Sequence, residues 1–187
     1  MKYLKLLFLF VVTFSIISCS DDDEADQPID ATTLIGTWDM TSLASVLALK
    51  TTLEGSEVTI GGISTGENID FTITFTETEY TVNGTYDVVT VGTLNGEDVS
   101  TETESLEFMN ESGSYTLNNN TIEFQNGVLI EDNTDFEIDD PGLEQLTVSF
   151  TNNGQNLTLS QDVDTVTEEE GVPISFVFES DIQFTRQ

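Results

Sequence analysis

The eight residues from Ile69 to Thr76 constrain the fold of this chain more than any others. Ile69, Phe71, Ile73 and Phe75 are apolar and alternate with Asp70, Thr72, Thr74 and Thr76. A period of two sends every apolar side chain to one side of an extended backbone and every polar one to the other, which describes a strand with one dry face. In a helix the same residues would scatter around the axis. The pattern recurs at Tyr80/Val82, Tyr86/Val88, Ile122/Phe124, Leu146/Val148/Phe150, Leu157/Leu159, Ile174/Phe176/Phe178 and Ile182/Phe184. Thr, Val, Ile and Phe are also the residues that suit a pleated surface.

Four Asn-Gly pairs punctuate these runs, at Asn83-Gly84, Asn95-Gly96, Asn126-Gly127 and Asn153-Gly154. Both residues tolerate the positive φ of tight hairpins, so the expected topology is antiparallel. Gly84 has a second reading, because it lies within a continuous apolar stretch where a bulge in one long strand serves equally well. The segment Leu43 to Leu53 is the one rival to an all-β fold, since Leu43, Val46, Leu47 and Leu53 fall near helical spacing. Its threonines and its lack of caps favour a strand. No fixed repeat points to a solenoid or propeller. The fold class is therefore all-β, as an up-and-down antiparallel barrel or, alternatively, a β-sandwich, and closure has the advantage of leaving no exposed edges.

Upstream, Lys2 and Lys5 precede the apolar run Leu6 to Ile17 and then Ser18-Cys19. A basic start, a short apolar run and a small residue before the cut describe a secretory signal over residues 1–18. A transmembrane helix needs about 20 apolar residues, more than this run supplies. Ile16-Ile17-Ser18-Cys19 resembles a lipobox, with Ile17 where a smaller residue is more usual. That resemblance implies cleavage before Cys19 and lipid attachment to it. Cys19 is the only cysteine in the chain, so no internal disulfide is expected. Two or three acyl chains on one residue anchor firmly, since each buried methylene contributes about 0.8 kcal/mol. Ser20, Asp21, Asp22, Asp23 and Glu24 resemble the acidic export signal that lipoproteins of Bacteroidota carry behind the lipidated cysteine, which implies the outer face of the outer membrane. The alternative is a solvated spacer. Residues 19–32 hold Pro28 and few large apolar side chains, too little to offset the entropy of ordering, and are expected to act as a tether.

The remaining stretch, 33–187, has the length of one domain and is large enough to bury a single core. Removing the signal leaves Lys50 and Arg186 against 35 acids, a formal net charge of −33 (2 − 35). Nucleic acid is excluded as a partner, because its binding rests on Lys and Arg contacts to phosphate. Anionic headgroups repel such a surface too, so the lipid would have to do the anchoring.

The motif Leu34-Ile35-Gly36-Thr37-Trp38, followed by Met40-Thr41-Ser42-Leu43, resembles the opening strand of lipocalin-like lipoproteins, whose first strand carries Gly-x-Trp. Ile73 to Phe75, Gly84-Thr85-Tyr86, Gly113-Ser114-Tyr115-Thr116-Leu117, the Asn-rich turn at 118–120 and Thr121-Ile122 follow in the order typical of flavobacterial members. The resemblance covers most of residues 33–186. It implies a single lipocalin-like barrel in which a cation on the last strand packs on the first-strand indole, a pair that falls here on Trp38 and Arg186. In such a barrel the inward side chains either fill the centre or line a cavity for one small apolar ligand. The paired cysteines usual in lipocalins are absent.

Catalysis is disfavoured by subtraction. The chain has no histidine, so neither a Ser-His nor a Cys-His pair can be assembled, and zinc loses its commonest ligands. Lys50 is expected to be solvated. With 35 acids, close carboxylate pairs arise without any demand from chemistry. Neither a catalytic residue nor a cofactor is assigned. Glu131, Asp132, Asp135, Glu137, Asp139 and Asp140, before Pro141-Gly142, offer hard oxygen ligands of the kind calcium prefers. EF-hand spacing is not met, and a solvated acidic loop is the preferred reading. Asp162, Asp164 and Glu168 to Glu170 pose the same question, in what is expected to be a long hairpin loop before Pro173. No metal residue is assigned. Asp164-Thr165-Val166 also resembles a short O-glycosylation acceptor motif of Bacteroidota.

Two functional classes remain. One is a surface or outer-membrane-anchored lipoprotein that binds a small apolar ligand in a barrel cavity. The other is a non-enzymatic interaction module with a filled barrel, its partner a protein or glycan. The first requires an open lumen and the second a packed one.

Overall fold

The computed structural model describes residues 29–53, 55–125, 145–169 and 172–187. The signal, Cys19, the acidic stretch Ser20 to Glu24, Asn126-Gly127 and the acidic run Glu131 to Asp140 lie outside them. A short helix, α1 (Ala31–Leu34), leads into eight strands: β1 (Gly36–Leu53), β2 (Ser56–Phe75), β3 (Glu79–Leu94), β4 (Glu97–Asn118), β5 (Thr121–Phe124), β6 (Gln145–Thr151), β7 (Asn156–Glu169) and β8 (Val172–Arg186). Each pairs antiparallel with its neighbours in chain order, and β8 returns to β1, so the sheet closes as an up-and-down barrel. Closure decides against the sandwich.

The turns follow local chemistry. Asn95 and Gly96, both at positive φ, join β3 to β4, and Asn152, Asn153 and Gly154 make the tight turn before β7. Asn83-Gly84 is no turn. Gly84 sits inside β3 at φ +120°, beside a register shift between Val82 and Gly84, which is the bulge reading. A Cβ there would meet the Asp70 carbonyl oxygen at 2.0 Å, so only glycine permits this approach of β3 to β2. The acids from Asp162 to Glu168 are likewise not in a loop. They belong to β7, because Gln161, Val163 and Thr165 keep the two-residue period and face inward while the acids take the outer face. Leu43 to Leu53 is strand throughout.

The strands are unequal, and that inequality shapes the molecule. β5 has 4 residues and β6 has 7, whereas β1, β2 and β4 have 18, 20 and 22. Among the described residues the barrel is therefore closed at the end that carries α1 and Arg186. Beyond the reach of β5 and β6 the described strands continue as an open sheet in the order β7-β8-β1-β2-β3-β4, with β7 and β4 as its edges.

Inward residues of the closed end form one cluster. Phe71, Tyr86 and Phe108 meet with centroids 5.2 to 5.8 Å apart, and Phe75 lies 5.3 Å from Tyr115 and 6.2 Å from Phe124. Tyr80 meets Phe124 edge to face at 5.0 Å. Edge and tilted contacts of this kind stabilise beyond simple burial. Leu34, Trp38, Ile73, Val82, Ile122 and Leu157 have no exposed surface.

Candidate functional site

Two places merit attention: the closed end of the barrel and the inner face of the open sheet. At the closed end, α1 starts from Asp30, whose Oδ1 accepts a hydrogen bond from Thr32 N, and this holds the Asp30 carboxyl below its usual range. The helix carries Leu34 across the barrel mouth. Trp38 Nε1 donates to Leu34 O at 2.9 Å, which satisfies the indole inside an apolar cluster. Strand pairing sets Trp38 opposite Arg186, and the Arg186 Cζ lies 4.4 Å from the indole centroid. Arg186 Nη2 donates to Thr33 O and Nη1 to Ile35 O at 3.3 Å. The guanidinium thus stacks on one ring and ties down two carbonyls at the end of α1. Such a plug is structural, with no face open to a substrate.

The inner face of the open sheet is different. Register places Gln161, Ser180, Ser45, Ser64, Thr90 and Glu102 side by side across six strands, immediately beyond the aromatic core. Gln161 and Ser180 are buried, and Ser64 Oγ lies 2.8 Å from Thr90 Oγ1. A polar belt therefore caps the core. One row further out the neighbours are Val163, Phe178, Leu47, Gly62 and Gly92, and the row after that holds Phe176, Leu49, Ile60 and Leu94. Phe178, Leu47 and Leu49 are half-buried, whereas Ile60 is 53 % exposed and Leu94 44 %. The paired glycines leave bare backbone on the floor. Together these residues form a trough with a polar base and apolar walls. Neither the belt nor the trough was visible in the sequence, because the belt takes one residue from each of six strands and the trough one or two from each of five, and only the register brings them together.

Chemistry is sparse among the described residues. No group of three or more Asp, Glu, Cys or His sits where it could hold a metal ion, and no helix is long and apolar enough to cross a membrane. Asp162, Asp164 and Glu168 share the outer face of β7 with Val166, spread along a strand instead of converging. Lys50 is exposed on the outer face of β1. Tyr80 and Tyr115 are the groups shifted upward, first by burial and then by the negative charge of Glu111 and Glu77 respectively. Both belong to the packed core. The fold and site define the chain as an antiparallel β-barrel, closed and filled at one end and opened into a trough at the other. No family model matches it, and no curated protein or solved structure is significantly similar to it.

Proposed function

We propose that this chain is a lipid-anchored, non-enzymatic binding module that receives an apolar group in the trough of its open sheet and not inside its sealed barrel. One observation carries the reading: beyond the polar belt the inward positions of β1 and β8 change from fully buried core to the half-buried Leu47, Leu49 and Phe178, with Gly62 and the exposed Ile60 of β2 beside them and Phe176 buried. A neutral ligand suits it best, with an apolar body over Phe178, Leu47 and Leu49 and a hydrogen-bonding head on the hydroxyl belt. Burying one such body contributes about 25 cal/mol per Å² of apolar surface removed from water. A carboxylate head is disfavoured beside Glu102 in a chain with 35 acids.

In this reading the anchor is the lipid on Cys19, after removal of residues 1–18, with Ser20 to Glu24 directing the protein to the cell-surface side of the outer membrane. Ile29, which bonds to Asn120 through its N–H at 3.1 Å, lies ten residues beyond Cys19. Ten residues span at most about 36 Å, so the plugged end would stay near the membrane and the open sheet would point away. The barrel's place in a lipocalin-like lipoprotein family is part of the same proposal, supported by the ordered motifs from Gly36 to Ile122.

The test is titration with a neutral, environment-sensitive dye that fluoresces in apolar sites. Saturable binding that falls at least tenfold in Leu49→Asp and in Phe178→Asp, while circular dichroism and Trp38 emission show each variant still folded at the assay temperature, supports the trough. Binding that ignores both substitutions overturns it. Labelling of cells with radioactive palmitate tests the anchor separately, and a protein that stays unlabelled removes it.

A further inference from the structure

We infer that the edge of β4 that no described strand covers is a strand-addition site for an extended basic segment of a protein partner, a surface that borders the trough at Glu102 but does not require the trough to take a ligand. β4 pairs with β3 along nearly its whole length, but with β5 only over Tyr115 to Asn118, and Gln125 N adds one bond to Ser114 O at 3.0 Å. From Gly113 back to Glu97 the far side of β4 meets no strand among the described residues. Within that length, Ser100 to Phe108 pairs with Gly92 to Gly84 without a register shift, between one irregularity at Gly92/Thr93 and another at Val82/Gly84. The regular stretch is about 30 Å long at about 3.4 Å per residue. It holds no proline and no bulge, and Ser100 to Ser105 are all exposed; its one device against another strand is charge, with Glu102 and Glu104 on the inner face, which turns away apolar and acidic strands but not basic ones.

Charge selects the occupant. Glu102 and Glu104 share the inner face with Thr90 and Val88, while Glu107 takes the outer face opposite Thr85. Neither β3 nor β4 contains a lysine or arginine. A second copy would set like charges across the new ladder, which destabilises cross-strand pairing, whereas a basic strand would meet opposite charge at Glu102 and Glu104. The segment that fits has Lys or Arg at alternate positions, facing Glu102 and Glu104, and threonine or a β-branched residue between them, facing Thr101 and Thr103. Main-chain bonds would supply affinity and the alternation specificity. The free edge of β7 is the weaker candidate, because Gln161, Val163 and Thr165 on it are partly or fully covered.

The experiment titrates the full chain, in neutral detergent, with a nine-residue peptide alternating Thr and Lys, against the same peptide N-methylated at every second residue. Saturable binding of the first, weakened at least about tenfold by methylation, is expected, because methylation removes donors that only strand pairing uses. Glu102→Gln with Glu104→Gln should weaken it by about threefold to tenfold and flatten its salt dependence. Both positions are exposed, and unchanged circular dichroism confirms the fold. Equal binding of the methylated peptide reduces the effect to bulk charge and overturns the proposal, as does no binding at millimolar concentration. Amide exchange of the free protein excludes the other occupants: protection on the far side of Ser100 to Glu107 in the monomer means the edge is covered by the chain itself, and protection that grows with concentration means a second copy. Either result overturns the proposal.

Discussion

The closed and open halves of this barrel are built from the same strands, yet they obey different constraints. In the closed half each of β1, β2, β3 and β8 has one face sealed inside the eight-stranded barrel, and most positions on that face are apolar or aromatic, as with Phe71, Ile73 and Phe75 on β2 and Tyr80, Val82 and Tyr86 around Gly84 on β3. In the open half the same strands lose β5 and β6 as neighbours, and the inward positions turn to Ser45, Ser64, Thr90, Gly62 and Gly92. The comparison teaches that stability and binding are divided along the strand axis. The sealed end supplies the cohesion that lets the other end keep apolar groups half in water.

Truncating matched aromatics should show the largest difference. Phe71, 2 % exposed and in ring contact with Tyr86 and Phe108, should lose about 3–5 kcal/mol of stability as Phe71→Ala. Phe178, half-buried in the trough, should lose only about 1–2 kcal/mol as Phe178→Ala. Urea midpoints at constant slope measure both, and equal losses would break the division. Arg186→Ala comes next, at about 2–3 kcal/mol, because it removes the stack on Trp38 and leaves the carbonyls of Thr33 and Ile35 without their donor. Trp38 is the only tryptophan, so a shift in its emission reports whether the plug has opened. A variant with unchanged emission and unchanged melting would show that the end of the barrel is held by packing alone.

Two tyrosines sharpen the picture within the closed half. Tyr115 OH donates to Thr76 O at 2.6 Å, whereas the Tyr80 hydroxyl is buried with no hydrogen-bond partner among the described residues, close to Gly113, where a Cβ would approach it to 2.5 Å. Tyr115→Phe should therefore lose about 1 kcal/mol, and Tyr80→Phe should be neutral or stabilising by up to about 1 kcal/mol. Burial raises both phenols above their usual value near 10. Since the folded state holds their protons more tightly, the stability they contribute is whole below pH 10 and is lost as pH rises beyond it. A melting temperature that stays flat into alkali, or a Tyr80→Phe protein markedly less stable than Tyr115→Phe, would contradict this account.

How much of the molecule could be read from the sequence follows the same division. Ile69 to Phe75 was legible because one face of β2 is dry there and the other wet, which forces strict alternation. In the open half, apolar residues occupy both faces of β1, with Leu47 and Leu49 inward and Val46 and Ala48 outward, and the blurred period let a helix compete. Across Ser100 to Glu107 neither face is dry, so the longest strand gave almost no apolar signal. Asn83-Gly84 could serve as turn or bulge, and the decision came from the contact of Gly84 with Asp70 on another strand. The pairing of Trp38 with Arg186 came from a family resemblance and not from spacing, since 148 residues separate them and only closure brings them together. The polar belt depends on the register of six strands, which no local pattern encodes.

The smallest expected effect lies at the boundary of the two halves. Asp87 on β3 accepts from Ser105 Oγ on β4 at 2.5 Å and from Asn68 Nδ2 on β2 at 2.6 Å, and Asn68 sits at φ +49° in the irregularity where β2 shifts register between Glu67 and Asp70. These two bonds, that from Ser105 first, hold the Asp87 carboxyl below its ordinary 3.8. A depressed carboxyl contributes stability that is present above the unfolded value and disappears as pH falls through the folded one. The group is exposed, so global melting should hardly change. What should change is local opening: below pH 4, amides around Asn68 and Ser105 should exchange faster relative to those of Ile73 and Val82 in the sealed core, after correction for intrinsic rates. Asp87→Asn should show the faster exchange at neutral pH and no further acid response. If it exchanges like the parent, the register shift in β2 is fixed by the backbone around Gly66 and Gly84 alone, and the two halves of the barrel are joined without help from this carboxylate.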